Sequence, residues 1–131
     1  MENNMNESIG KLILRISLGG LILLHGLAKL MHGVSGLSGM VTGAGLPAFV
    51  TYGVYVGEVI APILVLIGWY SRIGAVLIAV NMLFAIGIVH RGEVFALGPS
   101  GGWAIELQGM FLFTAIAIAL IGPGRFSLNA K

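Results

Sequence analysis

Residues 47–70 read PAFVTYGVYVGEVIAPILVLIGWY, an apolar run of helix length in which Glu58 is the only charged residue. A stretch this long, with one acid and no other charge, is a candidate membrane crossing rather than a soluble core helix. Working outward, the same reading applies to residues 9–31, to residues 73–90 with Asn81 inside, and to residues 102–121. An open sheet cannot satisfy its edges in hydrocarbon, so each run is expected as a helix. Only Trp69, Tyr70, Ser71 and Arg72 separate the second run from the third, which makes those helices antiparallel neighbours. The expected fold is all-α, an integral membrane four-helix up-down bundle forming a single transmembrane domain over residues 1–131.

Composition agrees with this reading. Of 131 residues 57% are hydrophobic and 9% charged, and the mean hydropathy is +1.00. A soluble domain would carry about 25% charged residues. Cysteine is absent, which excludes disulfides, thiolate catalysis, iron–sulfur clusters and Cys-ligated zinc. Any redox chemistry must be borrowed from a bound molecule or a partner. No basic stripe with interleaved aromatics suggests a nucleic-acid interface. Glu2 and Glu7 precede the first cation and no small-residue cleavage pattern follows, so the first apolar segment is expected to remain in the protein.

Four crossings place both termini on one side. Lys11, Arg15, Arg72, Arg125 and Lys131 gather there, against Lys29 and Arg91 on the other, so the termini are expected in the cytoplasm. The apolar, glycine-rich outer connection 33–46 is expected to form a short helix or turn in the interface. Gly19, Gly26 and Gly33 recur every seven residues on the first helix, and Gly53 and Gly57 form a GxxxG on the second. Such small residues mark faces where helices meet, within the chain or in a homo-oligomer.

Glu58 is the costliest residue. About ten helical residues separate it from the outer end of its run, roughly 15 Å at 1.5 Å per residue. A charge near the midplane costs about 2.5 to 3.5 kcal/mol on an insertion scale, so Glu58 must be protonated, paired or turned toward a polar interior. Pro62, four residues on, lacks the N–H that would bond the Glu58 carbonyl, and is expected to bend the helix there. His25 and Lys29 stand one turn apart on the first helix, and Glu106 opens the fourth. These four groups form a candidate polar cluster, with Asn81, Gln108 and His90 as further members. Two acids and one lysine leave a carboxyl group in surplus.

Three uses of such a cluster compete. The bland one is an ion pair that holds the helices in register. The second is a site for a polar-headed ligand, such as a quinone, reached from the membrane, with Lys29 and His25 donating to its oxygens. The third is proton or ion passage. Arg15 reads as an anchor that snorkels to the surface and stands outside the cluster. A haem between His25 and His90 is disfavoured, because His90 ends its helix beside Arg91 and needs no metal to explain it. No metal site or phosphate loop is expected, and no residue is assigned a catalytic role.

Several segments together carry a family likeness: Leu14-Arg15, His25-Gly26-Leu27-Ala28-Lys29-Leu30, Gly45-Leu46-Pro47, Glu58, Leu66-Ile67-Gly68 before Arg72, Glu106, and the ending Gly122-Pro123-Gly124-Arg125-Phe126-Ser127-Leu128. Over nearly its whole length the chain resembles the DoxX family. The resemblance implies a small four-helix protein of the bacterial inner membrane, related to proteins linked with thiosulfate:quinone oxidoreductases and with complexes that protect against oxidative and thiol stress. It implies site residues at His25, Lys29, Glu58 and Glu106. The usual Tyr and Asp of the family's ending are replaced by Phe126 and Asn129.

The leading expectation is a membrane subunit of, or accessory to, an oxidoreductase, with a quinone-like ligand and electrons from a partner protein. The alternative is a scaffold that docks redox or stress-response partners and has no ligand. A proton-coupled transporter is the third option, motivated by the Pro62 bend.

Overall fold

The computed structural model describes residues 5–131; residues 1–4, with Glu2 of the expected uncleaved N-terminus, lie outside the described residues. The regular elements among them are helical, apart from an isolated bridge between Leu97 and Trp103. Helix α1 spans Met5–His32 and α2 Ser35–Gly43. Helix α3 spans Ala48–Ile67, α4 Ser71–Ile88 and α5 Glu106–Ile121. Helices α1, α3 and α4 are long and apolar enough to cross a membrane. Helix α5 has 16 residues, about 24 Å at 1.5 Å per residue, short of a hydrocarbon core of about 30 Å.

The late start of α5 departs from the expected 102–121. Before it the chain doubles back: the Ala104 N–H donates to the Ala96 carbonyl at 3.0 Å, and Trp103 Nε1 donates to the Val94 carbonyl at 2.5 Å. The Trp103 ring then covers Gly109, where a methyl group would collide with it. An aromatic side chain does here what another helical turn was expected to do.

The core takes residues from all four long helices: Leu18 and Ile22, Ala61 and Val65, Ala75 and Ile78, Phe111, Ala115 and Ile118. Helix α1 packs on α3 and α5, and α4 packs on the same two. In hydrocarbon, apolar burial does not drive helices together, so close approach at small residues does more of the work. Gly19 lies against Leu66 and the Pro62 carbonyl, and Gly74 against the Ala61 carbonyl. Gly33 does not share this face as expected. It has no neighbour within 4 Å of its missing Cβ and ends α1 at φ 79°. Large side chains such as Leu24, Leu83 and Leu120 remain exposed on the outside.

Helix α3 is irregular where Glu58 sits. It opens with a 3-10 stretch, Ala48–Tyr52, and widens to a π turn over Val56–Ile60 before becoming regular at Ala61–Ile67. The Ala61 N–H reaches back five residues to the Val56 carbonyl. Pro62 explains the widening, since it offers no N–H to Glu58 and its ring crowds that carbonyl. Where a bend was expected from sequence, the helix shows a π turn.

Arg15 corrects the sequence reading. Its side chain is buried, 1% exposed, rather than snorkelling. Nε donates to the Val65 carbonyl at 2.9 Å, one terminal nitrogen to Leu66 at 3.0 Å, and the other to Pro123 at 3.0 Å and Phe126 at 2.7 Å. The guanidinium fork therefore ties α1 to the carbonyl end of α3 and to the C-terminal segment, a place where cations are favoured by orphan carbonyls. Gly68, at φ 73°, leaves room for this clip, because a methyl group there would overlap both Arg15 and Ser127. Asn129 accepts the Tyr70 N–H at 3.0 Å through Oδ1.

Candidate functional site

At the end of the molecule opposite the Arg15 clip, all five helices surround a cavity of about 720 Å³. Its walls are largely apolar. The polar lining comes from His25, Lys29, Thr51, Glu58, Asn81, His90 and Gln108.

Glu58 organises one wall. The residue is 4% exposed and both carboxylate oxygens are engaged: Oε1 accepts from Lys29 Nζ at 2.5 Å and Oε2 from Asn81 Nδ2 at 2.8 Å. Two glycines bring these partners in. A methyl group on Gly26 would overlap the Glu58 carbonyl, and one on Gly57 would overlap the Asn81 side chain. Helix α1 therefore closes on α3 at Gly26, one turn before Lys29, while α4 closes on α3 at Gly57, beside Glu58. Gly26 approaches the Glu58 carbonyl, to which Pro62 offers no i+4 donor. Tyr55 adds a tie, its hydroxyl donating to the Lys29 carbonyl at 3.3 Å.

The other polar groups are distributed around the cavity. Lys29 keeps about a third of its side chain exposed, against 5% for Glu58, so the ammonium can address both the acid and a ligand. Of its three N–H groups one reaches Glu58, and no further side-chain hydrogen bond engages the others among the described residues. His25 stands edge-on to Phe111, ring centroids 5.8 Å apart. On the far wall Gln108 Nε2 lies 3.3 Å from His90 Nε2, and His90 Nδ1 lies 3.2 Å from Glu93 Oε1. That pattern fits the Nδ1–H tautomer, with Gln108 donating to the ring and the ring donating to Glu93. Both ring nitrogens of His90 are thereby engaged.

Of the residues singled out from sequence, the structure brings His25, Lys29, Glu58, Asn81, Gln108 and His90 to one cavity. It does not bring Glu106. That side chain is exposed in the first turn of α5 and lies over Gly102, while α5 lines the cavity with Leu107, Gln108 and Phe111. The carboxylate is favoured there by the helix N-terminus. The surplus acid disappears with it, leaving Lys29 and Glu58 paired one to one.

Sequence reasoning missed Thr51 and Tyr55. Together with Glu58 they form a polar stripe at i, i+4 and i+7 on an otherwise apolar segment, a spacing that would have found them. Thr51 is 2% exposed, lines the cavity, and its hydroxyl has no hydrogen-bond partner. Among the described residues no group of three or more His, Asp or Glu stands close enough to hold a metal ion.

Comparison with known proteins gives a consistent picture. The model of the DoxX family matches residues 10–91. A Bacillus subtilis (strain 168) protein named "Putative oxidoreductase CatD" is 35% identical over 127 residues, covering 95% of this chain and 90% of the relative. A Haemophilus influenzae protein without a functional name is 27% identical over 121 residues, covering 90% and 87%. No solved structure matches the chain at a significant level.

Proposed function

The chain belongs to the DoxX family, and from that premise we propose that it is a membrane subunit of, or accessory to, an oxidoreductase and holds a quinone-like molecule in the cavity beside Lys29. In this reading the four long helices cross the bacterial inner membrane up and down with both termini in the cytoplasm. Electrons come from a protein partner, since the chain has no cysteine. The observation that carries the reading is the cavity of about 720 Å³ with apolar walls and one Lys29–Glu58–Asn81 network built on the buried Glu58. That size and this ratio of apolar wall to few convergent polar groups suit a ring with carbonyl oxygens and an apolar tail. Lys29 and His25 donate to the head group, and Glu58 holds Lys29 in place. The redox name of the Bacillus subtilis relative is in keeping with this. Organic extraction of protein purified from its own membranes, followed by mass spectrometry, should recover a quinone; folded protein that repeatedly yields none contradicts the proposal.

A second reading draws on the one-to-one ion pair. Lys29 and Glu58 satisfy each other, so the network can serve only to fix helix register in a scaffold that docks other proteins, or a second copy of this chain. In that case the double variant Lys29→Met, Glu58→Gln keeps its assembly with partners, and no quinone is found in either protein.

A further inference from the structure

The Thr51 hydroxyl is a buried polar group that the fold leaves without a partner. A threonine in a helix ordinarily donates to the carbonyl three or four residues back. Thr51 does not, although Thr42, on the neighbouring α2, does, to Ser38 at 3.0 Å. Leaving a buried hydroxyl unpaired costs stability, and water or a ligand is the usual remedy. Ser8 and Ser71 are buried and unpaired as well, but neither lines the cavity. Thr51 does, from the 3-10 stretch that opens α3, seven residues and about 10 Å of helix rise from Glu58. The polar groups of the cavity therefore include two donors without a full set of acceptors, Lys29 at one level and Thr51 near the α2 end.

We propose that Thr51 is a ligand-binding residue, its hydroxyl donating to a carbonyl-type oxygen of the cavity's occupant at a point separate from Lys29. This deepens, and rests on, the quinone reading above. It specifies an occupant with two separated acceptor oxygens, as in a para-quinone ring, rather than an amphiphile with a single polar end. Lys29, with His25, takes one oxygen and Thr51 the other, while apolar residues such as Met40 and Phe84 cover the ring and tail.

The test uses the full chain in lipid nanodiscs, stripped of endogenous lipid-soluble ligand and titrated with decylubiquinone by quenching of intrinsic fluorescence. Thr51→Val removes the hydroxyl while keeping the shape, and is expected to weaken binding roughly tenfold, whereas Thr51→Ser retains it. Because the hydroxyl is unpaired in the empty protein, Thr51→Val should unfold at a temperature no lower than the wild type without ligand, yet gain less from ligand addition. A ligand that binds wild type and Thr51→Val equally overturns the role of Thr51 and leaves the quinone reading standing. Failure of the wild-type chain to bind overturns both. A Thr51→Val protein that melts earlier when empty and binds normally marks Thr51 as structural and overturns the proposal.

Discussion

Gly26 lies so close to the main-chain carbonyl of Glu58 that a single methyl group on it would overlap the oxygen. This contact sets the distance between α1 and α3, and it occurs three residues before the lysine that pairs with the same glutamate. Pro62 cannot give that carbonyl its i+4 donor, and the bare face of Gly26 covers it. Packing and the polar network are therefore one feature.

Gly26→Ala must push α1 away from a rigid backbone group, an overpacking that costs about 1–3 kcal/mol. Thermal unfolding in detergent should show a clear loss for this variant. Gly20→Ala, also in α1 with nothing near its missing Cβ, should be neutral or stabilising by up to about 1 kcal/mol. Equal behaviour of the two would show that the contact does not set the helix spacing.

Lys29→Met leaves the Glu58 carboxylate buried without its ammonium, and should destabilise by about 3–5 kcal/mol or force the acid to take up a proton. Adding Glu58→Gln should recover most of the loss, since Asn81 can still bond the amide. The coupling in a double-mutant cycle measured by thermal unfolding checks this; additive losses would contradict a paired geometry.

Arg15→Lys keeps the charge and loses the planar fork that reaches four carbonyls. A loss of about 3 kcal/mol is expected from hydrogen bonds to a charged group, together with faster proteolysis after Gly122. Unchanged protection of the C-terminal segment would remove the clip from the account.

Glu106→Gln should leave both stability and quinone binding within experimental error, because its side chain is exposed and outside the cavity. Binding measured in parallel with a Lys29 variant makes the comparison direct. A loss equal to that of Lys29→Met would return Glu106 to the site.

The apolar runs and the cost of Glu58 were legible in the sequence because both depend only on local composition and on depth along one helix. Partners were less legible. Lys29 was recognisable as a partner from its level in the membrane, but Glu106, at a similar level, was not distinguishable from it. Facing depends on rotation, about 100° per residue, and α5 begins at Glu106 rather than at Gly102. Arg15 was misread for a different reason. Its partners are carbonyls of Pro123 and Phe126, over a hundred residues away in sequence, and carbonyls carry no side-chain signature. Thr51 shares a polar stripe with Tyr55 and Glu58 that the spacing offers, but a helical threonine normally bonds its own backbone, so the sequence does not show that this hydroxyl is left unpaired.

The most direct measurement of the central claim plugs the cavity. Gly36, on α2, lines it and has nothing within 4 Å of its missing Cβ, so Gly36→Trp adds a large ring at the cavity edge without displacing the core. Native mass spectrometry of wild-type and Gly36→Trp protein purified from the same membranes should show a quinone mass on the first and none on the second. Equal quinone on both, or none on the folded wild type, would contradict the claim that this cavity holds it.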